Sequence, residues 1–402
     1  MNPIKYIKSN GIKHTLSVIW EFKLDFIIRK ILLLFLNNKQ LKNIIVIESH
    51  NDFDSNGGAF YDYLIEHQFN EHYLIVWLVK NSIKHNLPKN VKCFKIHQPG
   101  ITKNYYICRA KIFTADCEVT GKVREGQKSY YFSHGAFSLK NSSGKIDIPS
   151  RVDYILIPSE SVRDIQMKQY RPEKNTELIV LGFPVHDKLL MECIPQLKKI
   201  SIKHYNKVII WMPTFRKGGG FKRNDSLGEL PLGIPLITSN EKLTELSEFL
   251  KKENVLLIIK IHPMQDISTV KIMESENICL LTGKRIKECG IDNYELLKQT
   301  DALISDYSSI SYDYLFLNKP IGYIFSDLEE LKNGLITDVA EDFIAGPIIN
   351  TYEEFTKFIW GVVTSNDFHT VRRQNLLKKI FKNQDGNSCK LITEHMDLIS
   401  GK

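Results

Sequence analysis

Short apolar runs alternate with helical patterns along the 402-residue chain from Lys42 onward. This alternation predicts parallel strands joined by helices, as in α/β domains. A first series of strands is predicted at 44–48, 73–79, 92–95, 110–115, 129–132 and 154–157. A second series is predicted at 207–212, 255–261, 278–281, 302–304 and 321–324. The connector 200–206 separates the series, so we expect two doubly wound units with a ligand cleft at the carboxyl ends of their strands.

These boundaries predict four regions. An amphipathic basic helical segment occupies 1–40, a first Rossmann-like domain 41–200, a second Rossmann-like domain 201–385, and a tail or helix 386–402. The most apolar stretch, 18–36, is interrupted by charged side chains, so we expect neither a membrane span nor a cleaved secretory signal. Residues 1–40 are therefore expected to remain on the mature protein.

Within this N-terminal segment, Glu21, Asp25 and Arg29 fall on one stripe of a helix, and apolar side chains cover most of the remainder. Five lysines flank or interrupt the apolar surface: Lys5, Lys8, Lys13, Lys30 and Lys39. A basic amphipathic helix of this kind can lie on the cytoplasmic face of a membrane as a peripheral anchor. It can equally pack on the first domain, because periodicity does not distinguish lipid from protein as the apolar partner.

Composition excludes several classes of protein. The chain is 43% hydrophobic and 25% charged, which excludes a disordered chain and a small disulfide scaffold. Its seven cysteines are scattered without a C-x-x-C pair, so we expect reduced thiols and a cytoplasmic protein. The net charge of +8 is concentrated in residues 1–40, where seven Lys or Arg stand against two acids. A nucleic-acid partner is therefore not expected.

The first candidate for chemistry is His134, which follows the apolar run 130–132 and precedes Gly135. A histidine at the carboxyl end of a strand, next to a glycine, can present its imidazole to a cleft with little steric cover. Histidine also suits general base catalysis near neutral pH. The alternative is a loop histidine held in hydrogen bonds.

Two further candidates end strands of the second series. His262 precedes Pro263, which cannot continue a strand and so places His262 at the cleft edge. Thr214 and Arg216 follow another strand-ending proline, and the planar guanidinium of Arg216 suits phosphate oxygens. The alternatives are a packed strand-terminal histidine and a solvated arginine.

The last candidate is a strand, a polar turn and a helix within 300–320, where Ser308 and Ser309 lie at the expected helix start. Hydroxyls, free backbone N–H groups and the helix dipole then converge on one spot, which favours a phosphate. Simple helix capping by one serine is the alternative, and Asp306 is expected to orient its neighbours. No grouping of side chains has metal-ligand spacing, so neither a metal nor another cofactor is expected.

With these residues in order, the sequence resembles the CDP-glycerol glycerophosphotransferase family, which contains the teichoic-acid and capsule polyol-phosphate transferases of bacteria. The resemblance spans 44–355 and is greatest across NYELLKQTDALISDYSSISYDYLFLNKPIGYIFSDLEEL, at 293–331. Five other blocks match in order and spacing: REGQKSYYFSHGAFSLK, LGFPVHDKLL, MPTFRK, KIHP and GLITDVAEDFIAGPI. Six ordered blocks are far more specific than any one of them.

The resemblance implies a GT-B-like fold with the acceptor on the first domain and the donor, CDP-glycerol or CDP-ribitol, mainly on the second. His134 would then be the base that deprotonates an acceptor hydroxyl, and CMP would be the leaving group. His262, with Arg216, Ser308 and Ser309, would hold the donor pyrophosphate and stabilise the charge that moves onto the departing CMP. Thr214 and Asp306 would belong to the same donor phosphate site. The acceptor would be a polymeric or lipid-linked glycan at the cytoplasmic membrane surface.

The sequence departs from the family pattern on the acceptor side. Ser133 stands where the family usually has Trp, and Val185 and His186 stand where Arg and Asn are usual. Gly135, Lys140 and His186 are the candidate acceptor-side residues. These departures leave the acceptor and the polyol open. A GT-B glycosyltransferase or another sugar-nucleotide enzyme of surface polysaccharide synthesis is the alternative function.

Overall fold

The computed structural model describes residues 12–80, 86–117, 120–143, 148, 151–218, 224–228 and 230–401. Residues 1–11 of the predicted N-terminal segment lie outside this range. The first sheet contains β1 (Lys42–Glu48), β2 (Leu74–Val79), β3 (Val91–Lys95), β4 (Ala110–Ala115), β5 (Lys128–Tyr131), β6 (Tyr154–Leu156) and β7 (Glu177–Ile179). The second contains β8 (Lys207–Trp211), β9 (Val255–Lys260), β10 (Ile278–Leu281), β11 (Ala302–Ser305), β12 (Ile321–Ile324) and β13 (Ile348–Ile349).

All eleven predicted strands are present, and the sequence analysis missed β7 and β13. Both are edge strands of three and two residues. Runs this short give no recognisable apolar pattern.

The helices that connect and cover the strands are α1 (Ile12–Val18), α2 (Asp25–Leu36), α3 (Ser55–Glu66), α4 (Ile101–Arg109), α5 (Arg163–Tyr170), α6 (Pro184–Leu190), α7 (Asn240–Lys252), α8 (Gly283–Glu288), α9 (Asn293–Lys298), α10 (Ile310–Asp313), α11 (Tyr352–Val363), α12 (Thr370–Ile380) and α13 (Ser388–His395). A π-helical turn, Ile19–Leu24, joins α1 to α2.

Strand order explains where a ligand can bind. The first sheet runs β3-β2-β1-β4-β5-β6-β7 and the second β10-β9-β8-β11-β12-β13, and the strand pairs are parallel. In each sheet the first strand, β1 or β8, therefore has later strands added first on one side and then on the other, so the order of addition reverses between β1 and β4 and between β8 and β11. Loops at the carboxyl ends of these strands border the crevice of such a fold. The continuous apolar strands β1, β2 and β9 are buried, which fixes the position of these loops.

The carboxyl-terminal part of the chain returns to the first half. The backbone N–H groups of Ser388 and Cys389, at the start of α13, donate to the buried carboxylate of Asp187 on α6 at 2.9 and 2.7 Å. His395 packs edge-on against Tyr130 and Tyr154 of the first sheet. These contacts hold α13 on the first half.

Helix α2 packs on α4 with a polar side. Asp25 is 5% exposed, forms an ion pair with Lys103 at 2.9 Å, and accepts hydrogen bonds from Asn104 and from the Gly100 backbone. Arg29 donates to Asn104 at 2.9 Å. Six large apolar side chains of this region are exposed and form what we term the outer apolar face: Trp20, Phe26, Ile27, Ile31, Leu34 and Phe35. The polar stripe therefore faces protein and much of the apolar surface faces outward.

Within the described ranges, no helix has both the length and the apolar character needed to cross a bilayer.

Candidate active site

The first wall of the cleft is built around the turn after β5. Ser133 adopts a left-handed backbone conformation (φ 59°), and the next residue, His134, is exposed. Asn56, in the first turn of α3, is 1% exposed, donates to the Ser133 carbonyl at 2.8 Å, and accepts from the Val185 N–H at 3.1 Å. The turn that presents His134 is therefore held from behind by a buried amide.

His50, in the loop after β1, lies under His134. The two imidazole rings stack with their centroids 5.2 Å apart. Burial, with the neighbouring charges of His134, Lys80 and Lys260, lowers the pKa of His50 to about 3. The half-buried His50 ring is therefore neutral at pH 7, and a proton gained by His134 meets no second imidazolium beside it.

Asp116, after β4, closes the crevice between β1 and β4. Its carboxylate accepts from the His50 backbone N–H, from Ser49 Oγ at 3.0 Å and from the Gly57 N–H at 3.1 Å. Burial raises the pKa of this fully buried carboxyl group to about 7, although the hydrogen bonds oppose the rise. Asp116 thus fixes the loop that carries His50 and does not itself face solvent.

The second wall is organised by Arg216, which is only 3% exposed. Its guanidinium donates two hydrogen bonds to Asp327, at 2.6 and 3.0 Å, and one to Asp306 at 2.9 Å. Asp306 also accepts from the N–H and the hydroxyl of Thr214, at 2.9 and 2.8 Å. Burial alone would lower the pKa of Arg216, but the two carboxylates raise it, so the guanidinium remains charged. The loops after β8 and β11 are locked together by this network.

His262 lies at the end of β9 with its ring against Phe215. Its Nδ1 accepts from the Met264 N–H at 3.0 Å, so the neutral ring carries its proton on Nε2. Burial lowers the pKa of His262 well below its ordinary value, and the charges of Lys260, His50, Lys140 and His134 lower it further. The ring is therefore a neutral N–H donor within electrostatic reach of both walls.

The predicted motifs of the two halves meet directly. A Cβ placed on Gly135 would lie 2.3 Å from Ser309 Oγ, so the His134 turn and the serine pair are in close contact. Ser138 Oγ and the Lys140 N–H both donate to the Tyr307 carbonyl, at 3.1 and 3.2 Å. Glycine at 135 is thus required by space rather than by backbone conformation.

Lys140 reaches from the first half into the second. Its ammonium lies 2.6 Å from an Asp225 carboxylate oxygen and over the Phe215 ring, 4.7 Å from the centroid. Burial lowers the pKa of Lys140, and Asp225 opposes that effect. The residue is 9% exposed and joins the walls beside the predicted site.

The structure does not bring His186 to the cleft. It is 1% exposed, its Nε2 lies 2.8 Å from Asp313 Oδ1, and its ring stacks on Phe316. This position follows from its place on α6, which packs between the halves. The structure brings eight of the predicted residues together around the cleft: His134, Gly135, Lys140, Thr214, Arg216, His262, Asp306 and Ser309. Ser308 precedes Ser309 in the same turn, and its carbonyl accepts from the Ser311 hydroxyl.

A cavity of about 430 Å³ opens beside the second wall, lined in part by Arg216, Lys217, Gln265, Ser268 and Lys271. Its hydroxyls and cations suit an anionic ligand. In the part of the chain that the structure describes, no three His, Cys, Asp or Glu side chains are grouped as metal ligands.

Sequence reasoning missed His50, Asn56, Lys260 and Asp327. His50 and Asn56 lie in SHNDFDSNGG after β1, a block whose sequence is consistent with shaping the acceptor side but fits a plain strand-to-helix turn at least as well. Lys260 lies two residues before His262. Burial lowers the pKa of Lys260, whereas the charge of Asp54, across the cleft, raises it. Asp327 gave no signal, because its partner Arg216 is 111 residues away in the chain.

A family profile described as CDP-Glycerol:Poly(glycerophosphate) glycerophosphotransferase matches residues 31–396. The teichoic acid ribitol-phosphate polymerase TarK of Staphylococcus aureus is 23% identical over 290 residues, which are 69% of this chain and 50% of that protein. A teichoic acid glycerol-phosphate primase of Bacillus subtilis is 29% identical over 193 residues, or 46% of this chain and 44% of that protein. The chain spans about half the length of these curated relatives.

Among solved structures, the wall teichoic acid polymerase TagF is similar with a TM-score of 0.71 and 18% identity, over 99% of this chain and 98% of that chain. This likeness establishes the predicted GT-B-like fold with two Rossmann-type halves. Because the family profile matches nearly the whole sequence, the chain belongs to the CDP-glycerol:poly(glycerophosphate) glycerophosphotransferase family.

Proposed function

We propose that the protein transfers a polyol phosphate from a CDP-activated donor, with glycerol phosphate as the preferred candidate. The acceptor is a hydroxyl of a teichoic-acid-like or capsular polymer or of its lipid-linked precursor. CMP is released. The observation that carries the proposal is the contact of the His134 turn with the serine pair, at Gly135 and Ser309, beside a neutral His262. A candidate general base and candidate hydrogen-bond donors to a phosphate therefore share one cleft, as in-line phosphoryl transfer requires.

His134 acts as the general base. The acceptor hydroxyl loses its proton to the imidazole as its oxygen bonds to the phosphorus that carries the polyol. The bond from that phosphorus to the oxygen of CMP breaks, and CMP leaves with the electron pair. The imidazolium then returns its proton to solvent. The stack on neutral His50 supports this role, because it holds the ring without adding positive charge.

The donor pyrophosphate lies against the second wall. Ser308 and Ser309 supply hydroxyl and backbone N–H donors, and the Nε2–H of His262 donates to the oxygen on which charge develops. Thr214 lines the same wall, but its N–H and hydroxyl are both bonded to Asp306, so it shapes the loop. Arg216 acts from behind by holding the loops of this wall together, since direct contact with a phosphate would require its guanidinium to give up a carboxylate partner. Asp306 holds Thr214 in place.

We further infer that the protein works on the cytoplasmic face of the membrane. The outer apolar face is exposed although α2 is fastened to α4 by its polar side, with Leu34 81% and Phe35 72% exposed. A helix in this orientation can insert apolar side chains at the level of lipid headgroups. Such a position suits an acceptor that is itself lipid-linked, close to Gly135 and Lys140 in the first half.

The test is release of CMP by the purified protein given CDP-glycerol or CDP-ribitol, with and without a lipid-linked or capsular acceptor. We expect acceptor-dependent release with one of the two donors. His134→Ala should lower kcat by a factor of about 10²–10⁴, as loss of a general base does. His72→Ala, an exposed histidine of the same half, is the matched control and should leave the rate unchanged.

Turnover of a sugar nucleotide but of neither CDP-polyol would overturn the proposed donor and leave the fold intact. Full activity in His134→Ala would instead remove His134 as the base.

A further inference from the structure

A second cavity, of about 420 Å³, lies between α2 and the segment that leads into β5, on the outer surface of the first half. Its walls carry the cations Arg29, Lys30, Lys122, Arg124 and Arg151, and Glu125 is its one acidic side chain. Nothing in the proposed phosphate transfer uses these residues.

Three of the five cations already have partners. Arg29 pairs with Asp25 at 3.6 Å, and Lys122 pairs with Asp153. Arg124 donates to the backbone carbonyls of Leu36, Asn37 and Lys39, at the end of α2. These bonds fix the shape of the cavity, but carbonyls do not neutralise the charge of Arg124.

The other two cations, Lys30 and Arg151, form no ion pair within the described ranges. Among the described residues the buried Nε–H of Arg151 has no hydrogen-bond partner. Lys30 lies only over the Phe26 ring, 5.4 Å from its centroid. With Asp25, Asp153 and Glu125 counted, the cavity keeps an excess of positive charge and an unsatisfied guanidinium donor, which together favour an anion with several acceptor oxygens.

The surroundings select among such anions. Phe26 and Leu33 also line the cavity, and Phe26 belongs to the outer apolar face. A ligand that matches both surfaces has a phosphate group attached to apolar chains. We propose that this cavity binds the phosphate headgroup of an anionic membrane lipid while the outer apolar face enters the lipid layer. This inference rests on the membrane position given under the proposed function, and it adds a specific site and lipid charge to it.

The experiment uses the full chain in flotation with vesicles of phosphatidylcholine alone and of phosphatidylcholine mixed with phosphatidylglycerol. The test variant is Lys30→Gln with Arg151→Gln. The matched control, Lys251→Gln with Lys252→Gln, removes two exposed lysines from the end of α7 in the second half. Each cation near an anionic membrane surface contributes about fivefold to the binding constant. We therefore expect the test variant, which lacks two cations, to bind phosphatidylglycerol vesicles about 30-fold more weakly. The control should bind as the unmodified chain does, and an unchanged unfolding midpoint should show that the test variant is folded.

Equal losses in test and control variants would overturn the site, because binding would then follow net charge alone. A second result would also overturn the site: soluble glycerol phosphate raises the unfolding temperature of the unmodified chain but not of the test variant, while the test variant still binds vesicles. The site would then bind a soluble anion. Leu34→Ser with Phe35→Ser separates the two ideas. If that variant no longer binds the vesicles and the Lys30→Gln, Arg151→Gln variant still does, the membrane position is supported and the headgroup site is contradicted.

Discussion

The two walls of the cleft carry charge in opposite ways. On the first wall the chemically important side chain, His134, is exposed, and the groups that restrain it act on backbone atoms or through a neutral ring. On the second wall the strongest charges are buried, with Arg216 3% and Asp306 1% exposed. One wall keeps its reactive group accessible, and the other keeps its charges paired.

This difference matches the two tasks of a phosphoryl transfer. A general base must reach its proton, so its restraints have to come from behind. A pyrophosphate needs donors that are already in position, and the Arg216 network fixes the backbone of Thr214 and of the loop after β11 before any ligand arrives. The contrast predicts that removing the paired cation of the second wall, Arg216, lowers stability most, and that removing the exposed reactive group of the first wall, His134, lowers the rate with little loss of stability.

The largest effect on stability is expected from Arg216→Ala. The change leaves Asp306 and Asp327 buried without their partner, which should lower the free energy of unfolding by about 3–5 kcal/mol. His134→Ala, at an exposed position, should change it by less than about 0.5 kcal/mol. Urea denaturation of both variants measures the difference. Similar midpoints for the two would contradict the contrast between the walls.

Gly135→Ala tests the contact between the walls. Its Cβ would meet Ser309 Oγ at 2.3 Å and Ser309 Cβ at 2.5 Å, and such overpacking costs about 1–3 kcal/mol. We expect lower stability and a lower kcat/KM. Ser309→Gly removes both clashing atoms, so the double variant should recover part of the lost stability, as a double-mutant cycle would show. Strict additivity of the two changes would mean that the walls do not touch there.

Much of this arrangement follows from local pattern. The strands were predictable from their short apolar runs. The grouping of the candidate residues was predictable because the His–Gly, His–Pro and Ser–Ser motifs follow such runs, and parallel strands bring these ends to one edge of a sheet. What local pattern did not give is pairing over long separations. The burial of His186 against Asp313 and the bond of Arg216 to Asp327 span 127 and 111 residues. No spacing rule connects residues that far apart.

The same reason explains why the orientation of α2 on the first half was not predicted. The helix pattern of Asp25 and Arg29 gave the stripe correctly, but its partners Asn104 and Lys103 belong to α4. A polar stripe is usually solvated, and here it is the side that packs.

Asn56 provides a sharper test of the first wall, because it holds the His134 turn without contact to a substrate. Asn56→Ala removes the donor to the Ser133 carbonyl and the acceptor for the Val185 N–H, at about 1–3 kcal/mol for each buried group left unpaired. We expect kcat to fall and the KM for the donor to stay unchanged. Asn56→Asp keeps an acceptor but turns a buried carboxylate oxygen toward the Ser133 carbonyl, so its kcat should be no higher than that of Asn56→Ala. An increase in KM alone would mean that Asn56 contributes to binding of the donor and does not position His134.

The smallest effect concerns the neutral ring of His50. Its pKa is about 3 in the folded protein, whereas an unfolded chain has the ordinary value near 6.5, so between these values the unfolded state binds the additional proton. Stability should therefore fall as the pH drops below 6.5, by up to about 2 kcal/mol at pH 5 from this residue alone. His50→Gln should remove that part of the slope in urea unfolding measured across the range, and the exposed control His72→Gln should retain it. Asp116, whose raised pKa acts in the opposite direction, is present in all three proteins, so the difference between them reports His50. Parallel pH profiles for His50→Gln and the unmodified chain would mean that the ring under His134 takes up a proton in the folded state, and the first wall would then carry charge much as the second does.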